Sequence, residues 1–277
     1  MPEPLEQHRP RLFALAYRML GSGSDAEDVL QEAWIRYART ENIESPAAWL
    51  TTCVTRLCID SLRSAKTRRE EYIGPWLPEP CTHADVVDVQ SLSLAFMHLL
   101  ERLSPKERAV YLLHEVFDYA HAEVAEVTQM SPEASRKALS RARTRVDGQV
   151  RFAPSKDAHA QMLMRFVSAV RGGDLAAHES LLAEDAQAVT DAGGHASAAL
   201  RVVLSRAKIA RFFKGLAKKT GALPLSIAPV VANGWPALVL TLGGQQQLVG
   251  IETDGEVIQS VFVIMNPEKL AAFSGDA

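Results

Sequence analysis

Three times in its first half the chain places Ser-Pro at the head of a run with helical apolar spacing: Ser45-Pro46, Ser104-Pro105 and Ser131-Pro132. The serine oxygen accepts from a free N–H of the first turn, and proline arrives with its φ already set for a helix. Each pair therefore fixes a helix start. The third constrains the fold most. It follows a short helical run, Ala120 to Val127, and a tight turn, Thr128 to Met130. It opens "SPEASRKALSRARTRV", which carries Arg136, Lys137, Arg141, Arg143 and Arg145. Two helices across so short a turn, the second one basic, form a helix-turn-helix pattern. Gln129 stands where such turns often carry glycine, and a positive φ there would cost roughly 1 kcal/mol.

The other helices follow the same grammar. Leu12, Leu15, Ala16, Met19 and Leu20 recur at helical spacing, and Gly21 and Gly23 end that helix. "SDAE" then reads as a capping box of Ser24 and Glu27, with Val29, Leu30, Ala33, Trp34 and Tyr37 on the buried face of a helix to about Arg39. The helix opened by Ser45 gathers Arg56, Arg63, Lys66, Arg68 and Arg69 toward its end. "GPWLPEP" breaks it, and the stretch to about Val89 reads as a linker. "SPKE" caps a helix running to Phe117. Beyond Pro154 helices give way to alternating strands, with hairpin signals at Asn233-Gly234 and Asp254-Gly255. This tail is a separate α+β domain.

Each constellation also has a plainer reading. With a net charge of −3 over 277 residues the molecule is no polycation, so DNA binding must rest on local stripes. Cations favour helix C-termini, so the basic end of the third helix could be a solvated terminus, and Trp49 reads as core. Asp25, Asp28, Gln31 and Glu32 could be an ordinary solvated face. Helical spacing puts Ser135, Arg136, Ser140 and Arg143 around one broad face of the basic helix, with Ala134, Ala138, Leu139 and Ala142 inward. Arginine there can read guanine, and lysine can neutralise phosphates. Cys53, Cys58 and Cys81 make neither a disulfide framework nor a four-ligand zinc site. No signal peptide and no apolar run of membrane-spanning length is present, so a cytoplasmic protein without a membrane partner, metal or cofactor is expected.

Together these runs resemble the extracytoplasmic-function (ECF) RNA polymerase sigma factors. "RLFALAYRMLGSGSDAEDVLQEAWIRY" and "SPAAWLTTCVTRLCIDSLRSAKTRREEY" are similar to the family's region 2, and "LSPKERAV" through "SRARTRV" to its region 4. "WLPEP" and "NPEKL" resemble signatures of the SigJ-type subgroup, which carries a SnoaL-like domain after region 4. "DAGGH" is similar to its Asp-Gly-Gly-Gly-Lys motif but has Ala192 for glycine and His195 for lysine.

The resemblance implies a multi-domain chain. Residues 1–72 would be the region 2 bundle, 73–90 the linker and 91–152 the region 4 helix-turn-helix. Residues 155–277 would be an α+β SnoaL-like cone with a curved antiparallel sheet. Asp25, Asp28, Gln31 and Glu32 would meet the β′ clamp helices of core RNA polymerase, whose β subunit is a further partner. Asn42, Thr52, Thr55, Arg56, Arg63, Lys66, Arg68 and Arg69 would bind the −10 element of promoter DNA. Ser131, Glu133, Ser135, Arg136, Lys137, Ser140, Arg141 and Arg143 would bind the −35 element. Trp76, Leu77, Pro78, Glu79 and Pro80, with Asp191, Gly193, Gly194, His195, Asn266, Pro267 and Lys269, would form regulatory docking elements. No separate anti-sigma factor is expected, because a tethered domain acts at high effective concentration. The competing reading is a ligand-sensing or enzymatic SnoaL-like domain, with Asp185, Asp191 and His195 as acid–base candidates, fused to a helix-turn-helix regulator. No acid–base pair is fixed by spacing, so an enzyme is not expected.

Overall fold

In the computed structural model the described residues are 6–82, 93–146 and 154–273. The chain divides into two compact units. One comprises residues 1–71, 83–92 and 96–150; the other comprises 72–82, 93–95 and 151–277.

The first unit is helical. Helix α1 (Arg9–Leu20) ends at Gly21, whose φ of 72° lets its N–H reach the Tyr17 carbonyl. Gly23 does not belong to that stop. It is the first residue of α2 (Gly23–Ala38), and the cap is Ser22, whose hydroxyl accepts from the Asp25 N–H, rather than Ser24. Helix α3 (Pro46–Glu70) packs on both and buries Leu50, Val54, Cys58 and Leu62. Helix α4 (Leu94–Leu100) leads into α5 (Pro105–Tyr111), which has the full Ser104–Glu107 capping box.

The expected helix to Phe117 changes character after Tyr111. Residues Leu112–Val116 form a π-helical turn, with the Phe117 N–H bonded to the Leu112 carbonyl. The wider turn places His114 Nδ1 2.9 Å from the Tyr119 carbonyl and stacks the His114 ring on His121. Helices α6 (His121–Val127) and α7 (Pro132–Val146) complete the unit. Arg108, almost wholly buried, ties it together: it donates to the carbonyls of Leu100 and Met19 at 2.9 and 2.7 Å and pairs with Glu101.

The second unit is a six-stranded sheet with helices on one face. Helices α8 (Lys156–Gly172) and α9 (Leu175–Ser180) precede β1 (Leu182–Asp191). Then come β2 (Val203–Leu204), α10 (Arg206–Thr220), β3 (Leu225–Ala232), β4 (Trp235–Leu242), β5 (Gln245–Thr253) and β6 (Ile258–Ile264), followed by a 3-10 turn, Pro267–Phe273. The spatial order is β2-β1-β6-β5-β4-β3. Asn233 and Gly234, both at positive φ, close the β3–β4 hairpin, as their sequence predicts.

The sheet is mixed rather than purely antiparallel. β1 and β6 pair in parallel, Ala188 opposite Val261. Such a pair needs a long crossover, and α10 with four strands, β2 to β5, supplies it. Along β6 the side chains alternate: Val261 and Val263 face a core with Phe166, Ile209 and Phe213, while Phe262 and Ile264 face a second core with Leu77, Leu94, Val189 and Leu270. Burial on both faces explains why "VFVIM" reads as continuously apolar.

Candidate functional site

Four surfaces carry the residues singled out by the sequence. On α2, burial of Ala26, Val29, Leu30 and Ala33 turns the opposite side outward. Asp25, Asp28 and Gln31 are exposed there, and the half-buried Glu32 binds Arg36 at 2.7 Å. At 100° per residue Ile35 falls between Gln31 and Glu32, and it is 40% exposed. The apolar-face count overlooked it because it lies off the buried stripe.

The second surface is a hollow of about 780 Å³ formed by residues 40–45 and α3 on one side and α6 on the other. Asn42, Thr52, Arg56 and Trp49 line it, and Glu123 and Glu126 form its far wall. Trp49 is braced edge-on against Tyr37 at 5.7 Å. Arg56 donates to the carbonyls of Val127 and Glu126 at 3.1 and 3.2 Å, capping the end of α6. Thr55 does not reach the hollow. It lies four residues after Thr51 and three before Cys58, on the buried stripe, and its hydroxyl donates to the Thr51 carbonyl at 2.7 Å. Arg63 is exposed and sits 3.4 Å from Asp60. The side chains of Lys66, Arg68 and Arg69 lie outside the described residues.

The third surface is the outer face of α7. Ser131 caps the helix, accepting from the Ala134 N–H. Gln129 in the preceding turn has a φ of 51°, the strained value its position implied. Glu133, Arg136, Lys137, Ser140, Arg141 and Arg143 are exposed. Ser135 is not: with Leu139, Ala142 and Val146 at i+4, i+7 and i+11 it lies at the centre of the buried stripe. Most cations here are already paired. Lys137 binds Glu133, Arg143 binds Glu115, and Arg141 and Arg145 both bind Glu107, at 2.6–2.8 Å. Burial would raise the Glu107 carboxyl, but hydrogen bonds from Arg141 and Ser104 and the charge of Arg145 outweigh it and hold it at about 2. Among the described residues no carboxylate lies within ion-pair distance of the exposed Arg136.

The fourth lies within the second unit, around Asp191. This carboxylate is wholly buried and accepts from the Tyr72 hydroxyl at 2.5 Å, the Leu77 N–H at 2.7 Å and Lys269 Nζ at 2.6 Å. Lys269 also donates to the Leu77 carbonyl and stands 4.1 Å above the Trp76 ring. Asn266 donates to the Tyr72 hydroxyl and accepts from the Glu268 N–H. Burial and the Asp191 hydrogen bond both push the Tyr72 hydroxyl upward, so it stays a donor. Pro78 and Pro80 are buried and Glu79 half-buried beside this cluster, and Cys81 exchanges hydrogen bonds with Asn233. We refer to the assembly as the latch.

The run "DAGGH" lies at this cluster. Gly193, at φ 54°, cannot carry a side chain, because a Cβ would lie 2.7 Å from Asn266 Nδ2 and 2.8 Å from the Tyr72 oxygen. Ala192 is buried but has no positive φ, so it tolerates its methyl. His195 is exposed, and the cation against Asp191 is Lys269. Tyr72 and Ile73, which meet Asp191 and Gly194, were missed because they follow a helix end with no motif of their own.

His195 and Pro267 also border a cavity of about 570 Å³ whose wall includes Leu216, Leu242 and Gln247. Asp185 and Asp191 are not among its lining residues. Among the described residues no helix is long and apolar enough to cross a membrane.

A helical bundle with an acidic strip and a hollow at a helix start, followed by a helix-turn-helix, is matched among known proteins by the transcription initiation factors of the sigma-70 class. The comparisons agree. Residues 5–68 match the Sigma-70 region 2 family and residues 93–146 the Sigma-70 region 4 family. The chain is 41% identical over 230 residues to the ECF RNA polymerase sigma factor SigJ of Mycobacterium tuberculosis, covering 79% of this chain and 73% of that protein. It is 33% identical over 180 residues to the probable ECF RNA polymerase sigma factor SigI of the same species, covering 61% and 62%. The crystal structure of M. tuberculosis SigJ is similar across 98% of both chains, with a TM-score of 0.77 at 34% identity. The chain therefore belongs to the ECF RNA polymerase sigma factors, which direct transcription initiation.

Proposed function

We propose that the chain binds core RNA polymerase through α2, recognises promoters through the hollow and α7, and has its activity set by its own C-terminal domain. In this reading residues 1–72 are region 2, 73–90 the linker, 91–152 region 4 and 155–277 the SnoaL-like regulatory domain. Asp25, Asp28, Gln31 and Glu32, with Ile35 among them, form the patch for the β′ clamp helices. An exposed isoleucine ringed by acidic and polar groups combines an apolar anchor with charges that steer a basic partner.

Asn42, Thr52 and Arg56 form the base pocket for the −10 strand, with Arg63 and the basic end of α3 on the phosphates. Glu123 and Glu126 face that pocket, so promoter binding requires α6 to withdraw. Arg136 is the leading base-reading candidate on α7. Lys137, Arg141 and Arg143 become available to DNA only by exchanging their carboxylate partners for phosphates.

The observation that carries the regulatory part is the latch. It holds Trp76 and Leu77, which lie between the two polymerase-directed regions, against Asp191 and Lys269. Fixing that segment restricts how the regions can spread on polymerase and promoter. A separate anti-sigma factor is then unnecessary, and no turnover is assigned to the C-terminal domain. The expected compartment is the cytoplasm, where the polymerase is.

Binding of the full chain to purified core polymerase tests the assignment of α2. Ile35→Ser is expected to weaken binding about tenfold, the loss of a buried aliphatic anchor worth about 1.5 kcal/mol, with the melting temperature unchanged. Wild-type affinity in a folded Ile35→Ser protein would remove α2 from the polymerase interface.

A further inference from the structure

The second unit carries a charge pattern that neither the latch nor α7 uses. Residues 201–219 hold seven cations, Arg201, Arg206, Lys208, Arg211, Lys214, Lys218 and Lys219, and no acidic residue. The rest of 155–277 holds four cations and eleven acidic residues. The domain is thus close to neutral, with its positive charge gathered on one helix and the turn before it.

All seven cations are exposed, while Ile209, Ala210 and Phe213 anchor α10 to the core. At 100° per residue Arg211, Lys214 and Lys218 form one row, flanked by Lys208 and Lys219. Among the described residues none of the α10 cations has a carboxylate within ion-pair distance, in contrast to the paired arginines of α7. Like charges three and four residues apart destabilise a helix by a few tenths of a kcal/mol per pair. The row works against folding of the free protein and is relieved by a polyanion.

We propose that α10 is a second DNA-contacting surface that grips the phosphates of duplex DNA without reading sequence. The proposal rests on the sigma-factor assignment, which brings the chain to promoter DNA. Length and charge fit: Arg206 to Lys219 spans about 20 Å at 1.5 Å per residue, and a duplex offers a negative charge about every 1.7 Å of axis. Duplex is favoured over single-stranded nucleic acid because this face has no stacking platform. Phe213 is buried, and the half-buried Phe212 packs edge-on against it at 5.2 Å.

The test is a salt titration of full-length protein binding to a labelled duplex of mixed sequence. The variant is Arg211→Gln/Lys214→Gln/Lys218→Gln. Loss of three phosphate contacts should lower the slope of log K against log salt by about 2.7 and weaken binding about tenfold or more at low salt. Lys214→Arg/Lys218→Arg, which keeps the charge, should bind as the wild type does. An unchanged slope and affinity in the triple variant at wild-type melting temperature overturns the proposal, as does equal affinity for a single strand. Arg136→Gln, read in promoter-directed transcription, separates this from the sigma assignment. If it abolishes promoter preference while the triple variant keeps the wild-type slope, only the α10 proposal falls.

Discussion

A single buried lysine decides how tightly the linker is held. Lys269 meets Asp191 at 2.6 Å, and both side chains are nearly sealed from water. Removing one member of such a pair leaves the other charge buried and uncompensated, at a cost of about 3–5 kcal/mol. Lys269→Met should therefore lower the unfolding free energy of the second unit by about that amount. The double variant Lys269→Met/Asp191→Asn should recover part of the loss, because the stranded charge is gone. Denaturant titration of the single and double variants checks this, and strictly additive losses would mean that the two groups act independently. The motif residues of this cluster were legible in the sequence by resemblance, yet its wiring was not. Tyr72 has no signature, and no spacing in the sequence pairs Asp191 with Lys269, far along the chain.

At the scale of elements, the grammar of caps and apolar spacing placed nearly every helix, because those signals are local. What it misjudged were side chains near the edge of a stripe. Ser135 and Thr55 are polar and stand among the DNA-contacting residues that the resemblance implies, but helical geometry puts each at the centre of a buried row. The π-helical turn after Tyr111 was also illegible, since it depends on His114 finding Tyr119 and His121. Helix α7 is locked to α5 by Glu107, and this yields a pH signature. The Glu107 carboxyl is held at about 2, below its ordinary value. Its contribution is thus fully present above the ordinary carboxylate range near pH 4.5 and is lost as pH falls toward 2. Full-length wild-type protein should lose melting temperature more steeply over that window than Glu107→Gln, which should be less stable at neutral pH. Parallel curves would show that the Arg141 and Arg145 contacts contribute nothing.

For the whole molecule, the sequence announced a change of character after Pro154 and a proline-rich break after α3. The resemblance marked Trp76 to Pro80 as a docking element, but spacing alone did not say where residues 72–82 pack, because Leu77 fills a sheet face assembled from strands more than a hundred residues away. In the proposed reading that placement makes the C-terminal domain a holder of the segment between the two polymerase-directed regions. The most direct measurement is multi-round transcription with purified core polymerase on candidate promoters, comparing the full chain with a truncation ending at Phe152. Promoter-specific initiation by both forms at different levels is expected, the sign of the difference saying whether the domain restrains or assists. Equal output from the two would contradict control by the C-terminal domain. Absence of initiation by either, with polymerase that is active with another sigma factor, would contradict the sigma function itself.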